Sequence, residues 1–529
     1  MDQCLQIPDI VDSICAHTTQ KTAFSMALTC HSFLEPSLNR IWRDIDSFAP
    51  LLACLPPNAF QVEYRAIPGS TRSLLSLYQL SANRALTPAD LRRYRDRYAH
   101  RIRTFLPTPS RNPQCIFISA KLFQALSLAT DNEAGALSPR LVEFSWLSPF
   151  DYSWVGFGPE YAEEVSPFIS LFLGKSVTSI TFHISGPSPL QTASIQSVAR
   201  RLPEIKTFTC RAEENVRFPR ELILAHSWDR LEELDIGDIS ASEIGHIVSL
   251  PQLATLSLHL SGPIFTPQHP EEALTSERFL NLRDVLITVA NVELVIEFLK
   301  LIPANNGLCA FKSEVFNYAP AALAQIVVDI FAAKLNPSTL EVLTLNDDIH
   351  GVHGDAAAED DEPTEIDFYE TVDITSLYSF NKLIKLSICV QGGVHINPKE
   401  IAQIPGVWPD IRLLSLLSTF PTGQTPCIDH MDLLHLARAC PSLSYLGLCF
   451  DATHIPSSSI LVEGTNIVGT LQVDGSPISS VLRTTAFLQT HFPMLRHIYG
   501  SQGYNSHTSK RRWDLVRKAI FSSFASSFL

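Results

Sequence analysis

The stretch LEVLTL, residues 340–345, contains a phrase that recurs through most of this 529-residue chain: apolar-x-x-apolar-x-apolar. Side chains alternate between the two faces of a β-strand, so the last two apolar residues of the phrase lie on one face. Clear copies start at Leu231, Leu253, Leu282, Leu340, Leu383, Ile411 and Leu443, and looser copies at Leu141, Val177, Ile205 and Leu495. One such strand buries little surface alone, so the copies predict a stack of neighbouring strands that share a core.

Segments with apolar residues at helical spacing lie between the copies and complete a strand–helix unit. They cover residues 192–202, 241–250, 292–302, 320–335, 430–440 and 481–492. The unit resembles the leucine-rich repeats. This resemblance implies an α/β fold: an irregular leucine-rich-repeat solenoid over residues 137–529, with mostly parallel strands in a curved array and helices on its outer side. The array is degenerate, because successive copies start 22 to 58 residues apart and the usual asparagine after the strand is missing.

A doubly wound α/β enzyme also alternates strands with helices and is the less favoured alternative. No strand of this sequence is followed by a complete glycine-rich phosphate loop, and Gly156-x-Gly158 lacks the third glycine. Nucleophile-elbow, zinc-protease and paired-cysteine zinc motifs are also missing from the sequence. We therefore expect no enzymatic activity, no cofactor and no metal site.

The first 50 residues contain three short amphipathic segments: IPDI (7–10), LTCHSF (28–33) and IWR (41–43). Pro8 suits the first position of a helix, because a proline there has no amide hydrogen to lose. Ile7, Ile10, Val11 and Ile14 then fall on one helical face. Three short helices bury little surface of their own, so we expect a partner to cover part of this apolar face.

These three segments, in this order, resemble an F-box, and the whole chain resembles the F-box/leucine-rich-repeat proteins of the divergent fungal type. The resemblance implies a three-helix F-box-like bundle at 1–50, a helical linker or capping region at 51–136, and the repeats at 137–529. It also implies binding to the Skp-type adaptor, and through it to a cullin, of a Skp–cullin–F-box ubiquitin ligase. The adaptor-binding residues that it implies are Leu5, Ile7, Pro8, Ile10, Val11, Ile14, Leu28, Phe33 and Trp42.

The repeat strands predict a second binding surface, formed by the residues between the inward-facing ones. In the rows that the seven clear copies predict on this concave face, Tyr445 is the only Phe, Trp or Tyr and Lys385 the only Lys or Arg, with Leu413 and Leu417 close by. We therefore predict that Lys385, Leu413, Leu417 and Tyr445 contact a protein target. The expected function is that of a non-catalytic substrate receptor, and a repeat scaffold without a ligase role is the first alternative.

Charge and cysteine usage limit the partners and the compartment. The net charge is −14, although residues 60–115 hold ten arginines against three acidic residues. We interpret the arginines of the helix predicted at 87–105 as a solvated face, and the acidic remainder predicts no nucleic-acid partner.

The 11 cysteines include no C-x-x-C pair, which predicts free thiols and an intracellular location in the cytoplasm, the nucleus or both.

Two further features of the sequence lead to expectations about membrane binding and about a surface loop. The apolar runs are too short to span a bilayer, so we expect no membrane partner. Residues 346–370 interrupt the repeats with eight acidic residues between Asp355 and Glu370. Low hydrophobicity with high charge predicts a flexible acidic loop there.

Overall fold

The computed structural model of the chain describes most of the sequence. The described residues are 7–65, 77–106, 116–146, 163–184, 189–202, 204–212, 228–237, 239, 241–264, 279–347, 371–419, 425–456, 466–500 and 507–526. The chain divides into two compact units, Met1–Ile239 with Leu250–Leu253 and Ser240–Ser249 with Ala254–Leu529.

The first unit opens with three helices, α1 (Pro8–Ala16), α2 (Gln20–Ala27) and α3 (His31–Arg43), and α3 packs against the other two. The Thr19 hydroxyl accepts the Thr22 N–H at 3.1 Å and so caps the start of α2. The other elements follow in chain order: β1 (Asp44–Ile45), α4 (Ala49–Cys54), β2 (Phe60–Arg65), β3 (Leu77–Ala82), α5 (Pro88–Arg97), a 3-10 turn (Ala99–Arg101), β4 (Thr104–Phe105), β5 (Ile116–Ile118), α6 (Ala120–Ala129), β6 (Glu143–Trp146), a 3-10 helix (Ser166–Leu171), β7 (Ser179–Ile184), α7 (Pro189–Ala199), β8 (Thr207–Ala212) and β9 (Glu233–Ile236).

The second unit alternates strands and helices to its end. Its elements are α8 (Ala241–Ile247), β10 (Thr255–Leu260), β11 (Asp284–Val289), α9 (Val292–Leu301), β12 (Ala310–Val315), α10 (Ala321–Lys334), β13 (Val342–Asp347), a 3-10 helix (Thr375–Ser379), β14 (Lys385–Val390), α11 (Pro398–Val407), β15 (Leu413–Ser418), α12 (His430–Ala439), β16 (Tyr445–Leu448), β17 (Thr470–Gln472), α13 (Val481–His491), β18 (His497–Tyr499) and α14 (His507–Ser526).

Strand order follows chain order in the main sheet of each unit. The first unit has the order β1-β4-β6-β7-β8-β9 and the second runs from β10 to β18, and the strand pairs within each are parallel. A separate small sheet has the order β2-β3-β5, with β2 and β3 antiparallel. A doubly wound sheet reverses its strand order at a switch point. Neither main sheet does so over the described ranges, so both are repeat-like.

Burial alternates along repeat strands such as β7, β10 and β14, so one side of each of these strands faces the core and the other is more open. In β14, for example, Leu386, Ile388 and Val390 are buried, whereas Lys385 and the other intervening residues are half-exposed. All eleven predicted copies of the phrase form strands, each starting two residues after the first residue of its copy. The prediction of a solenoid-like array of parallel strands is confirmed at this level.

Strand β12 is a repeat that the phrase did not predict. Leu308 and Phe311 take the first two apolar positions, but Ser313 takes the third. Ser313 is fully buried, and its hydroxyl donates to the Thr344 carbonyl oxygen at 2.8 Å. A buried hydroxyl is tolerated when it is hydrogen-bonded, so a serine can replace the expected aliphatic residue.

The region before the predicted array differs from expectation. The segment 51–136, predicted to be helical, also contains β2, β3, β4 and β5, and the parallel sheet already includes β1. The helix predicted at 87–105 begins as expected, with the Asp90 carboxylate accepting the Thr87 N–H at 2.8 Å, but it ends at Arg97. The domain boundaries at 50 and 136 stay predictions.

Only the start of the predicted acidic loop is described. Asn346 and Asp347 are the last two residues of β13 and belong to the sheet. Residues 348–370, which include all eight acidic residues, lie outside the described residues.

Candidate functional site

Helix α1 presents an exposed apolar stripe. Pro8 takes its first position and Ile7, the N-cap residue, is extended (φ −90°, ψ 112°). Ile7, Ile10 and Ile14 are spaced so that they lie on one side of the helix. Their side chains are 46%, 37% and 39% exposed, and Pro8 is exposed as well. A row of exposed isoleucines is typical of a surface that a partner covers.

Val11, predicted to contact the adaptor, is instead a core residue. It is 1% exposed, and Cys15, one turn further along, is fully buried. The Cys15 sulfur lies 3.6 Å from the Ser37 hydroxyl of α3, so the side of α1 that carries Val11 and Cys15 packs on α3. The prediction for Val11 is wrong, because a four-residue apolar stripe on this helix is divided between the core and the surface.

Trp42, another implied adaptor-binding residue, packs against two tyrosines of the first unit. Its ring stacks on Tyr98 at 4.2 Å and meets Tyr94 edge-on at 6.3 Å. Tyr94 is buried, which raises the pKa of its phenol, and its hydroxyl donates to the Leu137 carbonyl oxygen at 2.6 Å. Trp42 therefore packs α3 against α5 and against Tyr98, which follows α5.

The remaining predicted adaptor residues lie on α2, on α3 and before α1. Leu28 at the end of α2 is 73% exposed, and Phe33 in the first turn of α3 is half-buried. Phe24, which was not predicted, is also exposed and lies one turn before Leu28 on the same side of α2. The four-residue spacing between Phe24 and Leu28 could have predicted from the sequence that both lie on one side of the helix. Leu5 lies outside the described residues.

On the open face of the second unit, Lys385, Leu413 and Tyr445 form one row across β14, β15 and β16. The strand register pairs Lys385 with Leu413 and Leu413 with Tyr445. Neighbouring strands lie about 4.8 Å apart, so these side chains are adjacent. All three are half-exposed. The structure therefore brings together three of the four residues predicted to contact a target.

Hydrogen bonds hold the Tyr445 ring in one orientation. Its hydroxyl donates to Gln472, whose amide nitrogen donates to the Asp474 carboxylate at 2.6 Å. Burial, reinforced by the Asp474 charge, raises the pKa of Tyr445 to about 12. The phenol is therefore neutral at physiological pH, and part of its ring is exposed.

The prediction that Leu417, the fourth residue, contacts a target is wrong, because its side chain is buried and only 2% exposed. Gly447 lies nearby on the adjacent strand β16. A Cβ atom at Gly447 would lie 3.2 Å from Leu417 Cδ1 and 2.7 Å from the Ser415 hydroxyl oxygen. Leu417 packs into the space that this glycine leaves, so strand alternation alone predicted its exposure incorrectly.

The open face has two aromatic rings that the sequence analysis missed. Tyr499 on β18 is 50% exposed, and its ring stacks with that of His497 at 6.0 Å. The register pairs Tyr445 with Thr470 and Thr470 with His497, which extends the row of Tyr445 across β17 to His497. Tyr499 lies in the next row, beside Gln472. The copy of the phrase at Leu495 contained this signal, because it places both residues at open-face positions.

The described residues show no arrangement that suits a metal ion. No group of three or more His, Cys, Asp or Glu side chains among them is placed to hold a metal ion. A cavity of about 10 Å³ in the first unit, lined by Phe48, Tyr94 and Phe172 among others, has room for about one water molecule. No helix in the described part of the chain combines the length and apolar character that crossing a membrane requires.

Comparison with known proteins gives a distant structural likeness. No protein-family model and no curated protein matches the sequence. The chain is similar to one in the crystal structure of the Rad7 and Elc1 complex in yeast, at 11% identity. That match covers 81% of this chain and 83% of the other, with a TM-score of 0.31. A likeness this weak carries no argument about function.

Proposed function

We propose that this protein is a non-catalytic substrate receptor of a Skp–cullin–F-box ubiquitin ligase. The Skp-type adaptor binds the exposed side of α1, and a protein target binds the open face of the second unit. The observation that carries this proposal is the row of exposed isoleucines, Ile7, Ile10 and Ile14, on a helix that begins at Pro8.

Covering this stripe would supply useful binding energy. Burial of apolar surface is worth about 25 cal/mol per Å², so each of the partly exposed isoleucines contributes roughly 1 kcal/mol when it is covered. Phe24 and Leu28 on α2 are more exposed than the isoleucines and would add to this sum if the same partner reached them. The adjacent side of α1, with Val11, remains packed on α3, so binding needs no unfolding of the helix.

The open face suits a protein target for a different reason. Lys385, Leu413 and Tyr445 combine one charge, one aliphatic side chain and one aromatic ring in a single row, and Tyr499 adds an exposed ring. Mixed apolar and polar surfaces with fixed aromatic anchors are typical of protein interfaces. The sheet holds the backbone of these residues on adjacent strands, so little backbone freedom is lost on binding.

Substitution of the isoleucines tests the adaptor site. The variant Ile10→Asp with Ile14→Asp should lose binding to a purified Skp-type adaptor, while its thermal unfolding stays close to that of the parent protein. The matched control is Leu190→Asp, because Leu190 is also an exposed apolar residue on a helix of the first unit. Adaptor binding by the double variant equal to that of the parent would refute the assignment. A parent protein that binds no adaptor would favour the scaffold alternative.

A further inference from the structure

Basic side chains gather in the first unit where three successive strands of its main sheet, β1, β4 and β6, begin. Arg43 ends α3, Arg103 immediately precedes β4, and Arg140 lies three residues before β6. The Arg103 N–H donates to the Arg43 carbonyl oxygen at 2.8 Å. The Arg103 guanidinium reaches the Arg140 carbonyl oxygen at 3.4 Å. Backbone pairing thus keeps these three residues, which we call the arginine cluster, close together.

Nearby carboxylates leave most of this charge uncompensated. Asp44 is bound to Arg40 at 2.8 Å and approaches Arg43 only to 3.8 Å. Over the described ranges, neither Arg103 nor Arg140 forms an ion pair with a carboxylate. Arg140 and Arg43 are exposed.

The guanidinium of Arg103 is held by backbone oxygens. It donates to the carbonyls of His100 at 2.8 Å and Ile102 at 3.1 Å. Carbonyl oxygens fix its position but carry no full charge to balance it. Burial, followed by the charges of Arg140 and Arg43, lowers the pKa of Arg103, as expected where cations crowd together.

We propose that the arginine cluster binds a short acidic segment of a partner protein. Guanidinium groups pair with carboxylates through two parallel hydrogen bonds, and exposed arginines favour such partners. Arg43 and Arg103 precede adjacent strands, which lie about 4.8 Å apart, so the cluster matches two or three nearby carboxylates. This interaction is additional to adaptor and target binding and requires neither.

The same observations disfavour a nucleic-acid ligand. A duplex needs an extended basic footprint, because it presents a phosphate charge every ~1.7 Å along its axis. The whole chain carries a net charge of −14, which repels a long polyanion. A short acidic peptide meets only the local excess of positive charge.

Fluorescence anisotropy with the full-length protein tests this proposal. The probe is a labelled peptide of six glutamates in a glycine–serine context, and the control peptide carries glutamines instead. The variant Arg43→Ala with Arg140→Ala should bind the glutamate peptide about tenfold more weakly. The corresponding double lysine variant should retain part of the affinity, and added salt should weaken binding by the parent protein.

The matched control is Arg200→Ala with Arg201→Ala, which removes two exposed arginines of the same unit outside the cluster. This control should bind the peptide as the parent does. Equal binding by the Arg43/Arg140 alanine variant, or equal binding of the glutamine peptide, would overturn the proposal. Tighter binding of a single-stranded DNA oligonucleotide than of the glutamate peptide, lost in that alanine variant, would overturn it in favour of a nucleic-acid site.

Discussion

At the scale of single residues, buried polar side chains replace the asparagine ladder that the repeats lack. Asp347 is buried at the end of β13, and its carboxylate accepts the Ala319 N–H at 3.0 Å, the Gln391 N–H at 2.9 Å and the Thr419 hydroxyl. One side chain thereby joins segments that follow β12, β14 and β15. Asn466 acts similarly before β17, where its amide nitrogen donates to the His491 carbonyl oxygen at 2.7 Å.

Replacing Asp347 should therefore be costly. Asp347→Ala leaves buried N–H groups without an acceptor, and we expect it to lower the free energy of unfolding by about 2–3 kcal/mol. Asp347→Asn keeps one acceptor oxygen and should fall between this variant and the parent. Asp410→Ala, at an exposed aspartate, serves as the control in urea denaturation. A change for Asp347→Ala no larger than that of the control would show that the carboxylate adds no net stability.

Two buried histidines predict how stability depends on pH. His430 and His491 flank the Phe487 ring at 5.1 and 5.0 Å. Burial lowers the pKa of both, and Arg438, 3.4 Å from the His491 ring nitrogen, lowers that of His491 further. Asp429, Asp451 and Asp432 oppose the shift at His430 only in part.

The sign of the effect follows from these directions. Because the folded-state pKa values lie below the unfolded value of about 6.5, the unfolded protein binds more protons in acid. This contribution to stability is present above about pH 6.5 and is lost as the pH falls below it. His491→Gln should flatten the dependence between pH 7.5 and pH 5.5 in denaturation experiments, pH values that bracket the unfolded-state histidine pKa of about 6.5. The same slope in variant and parent would contradict the prediction.

At the scale of elements, we predict that the aromatic rings of the open face contribute to target binding. Removing a partly desolvated aromatic anchor typically weakens an interface by about 1–3 kcal/mol. Tyr445→Ala and Tyr499→Ala should each lose proteins that the parent co-purifies, whereas Tyr445→Phe, which keeps the ring, should retain them. Quantitative mass spectrometry provides the measurement.

Leu482→Ala is the control for this experiment, because Leu482 is highly exposed on α13 rather than on a strand. We expect this variant to co-purify the same proteins as the parent. Target retention by both tyrosine-to-alanine variants at the parent's level would place the target site elsewhere. Adaptor binding should persist in all four variants.

The elements also show what the sequence could predict. The apolar phrase located the strands and their register, because its spacing depends only on strand alternation and on the need to share a core. It missed the short strands β1, β4 and β17, and also β12, where a hydrogen-bonded serine replaces an apolar residue. Periodicity could not divide the α1 stripe between Val11 in the core and Ile10 on the surface, because that division depends on how α1 packs against α3. Nor could it place Leu417, whose burial depends on the glycine of a neighbouring strand.

At the scale of the whole molecule, each unit combines a repeat-like parallel sheet with a surface of its own. The first unit carries the isoleucine stripe and the arginine cluster, and the second carries the row of Lys385, Leu413 and Tyr445. Strand order that follows chain order could be predicted, since each repeat packs on the next one along the chain. The division into two units could not, because no break in the repeat pattern marks it in the sequence.

Hydrogen exchange of the full-length protein with and without a saturating Skp-type adaptor tests the central claim most directly. Amides of residues 8–16 in α1 should exchange more slowly in the complex, because the partner covers the side that carries Ile10 and Ile14. Amides of β14, β15 and β16 should exchange at unchanged rates. Unchanged exchange in α1 at saturating adaptor, or protection confined to the repeat strands, would contradict the account.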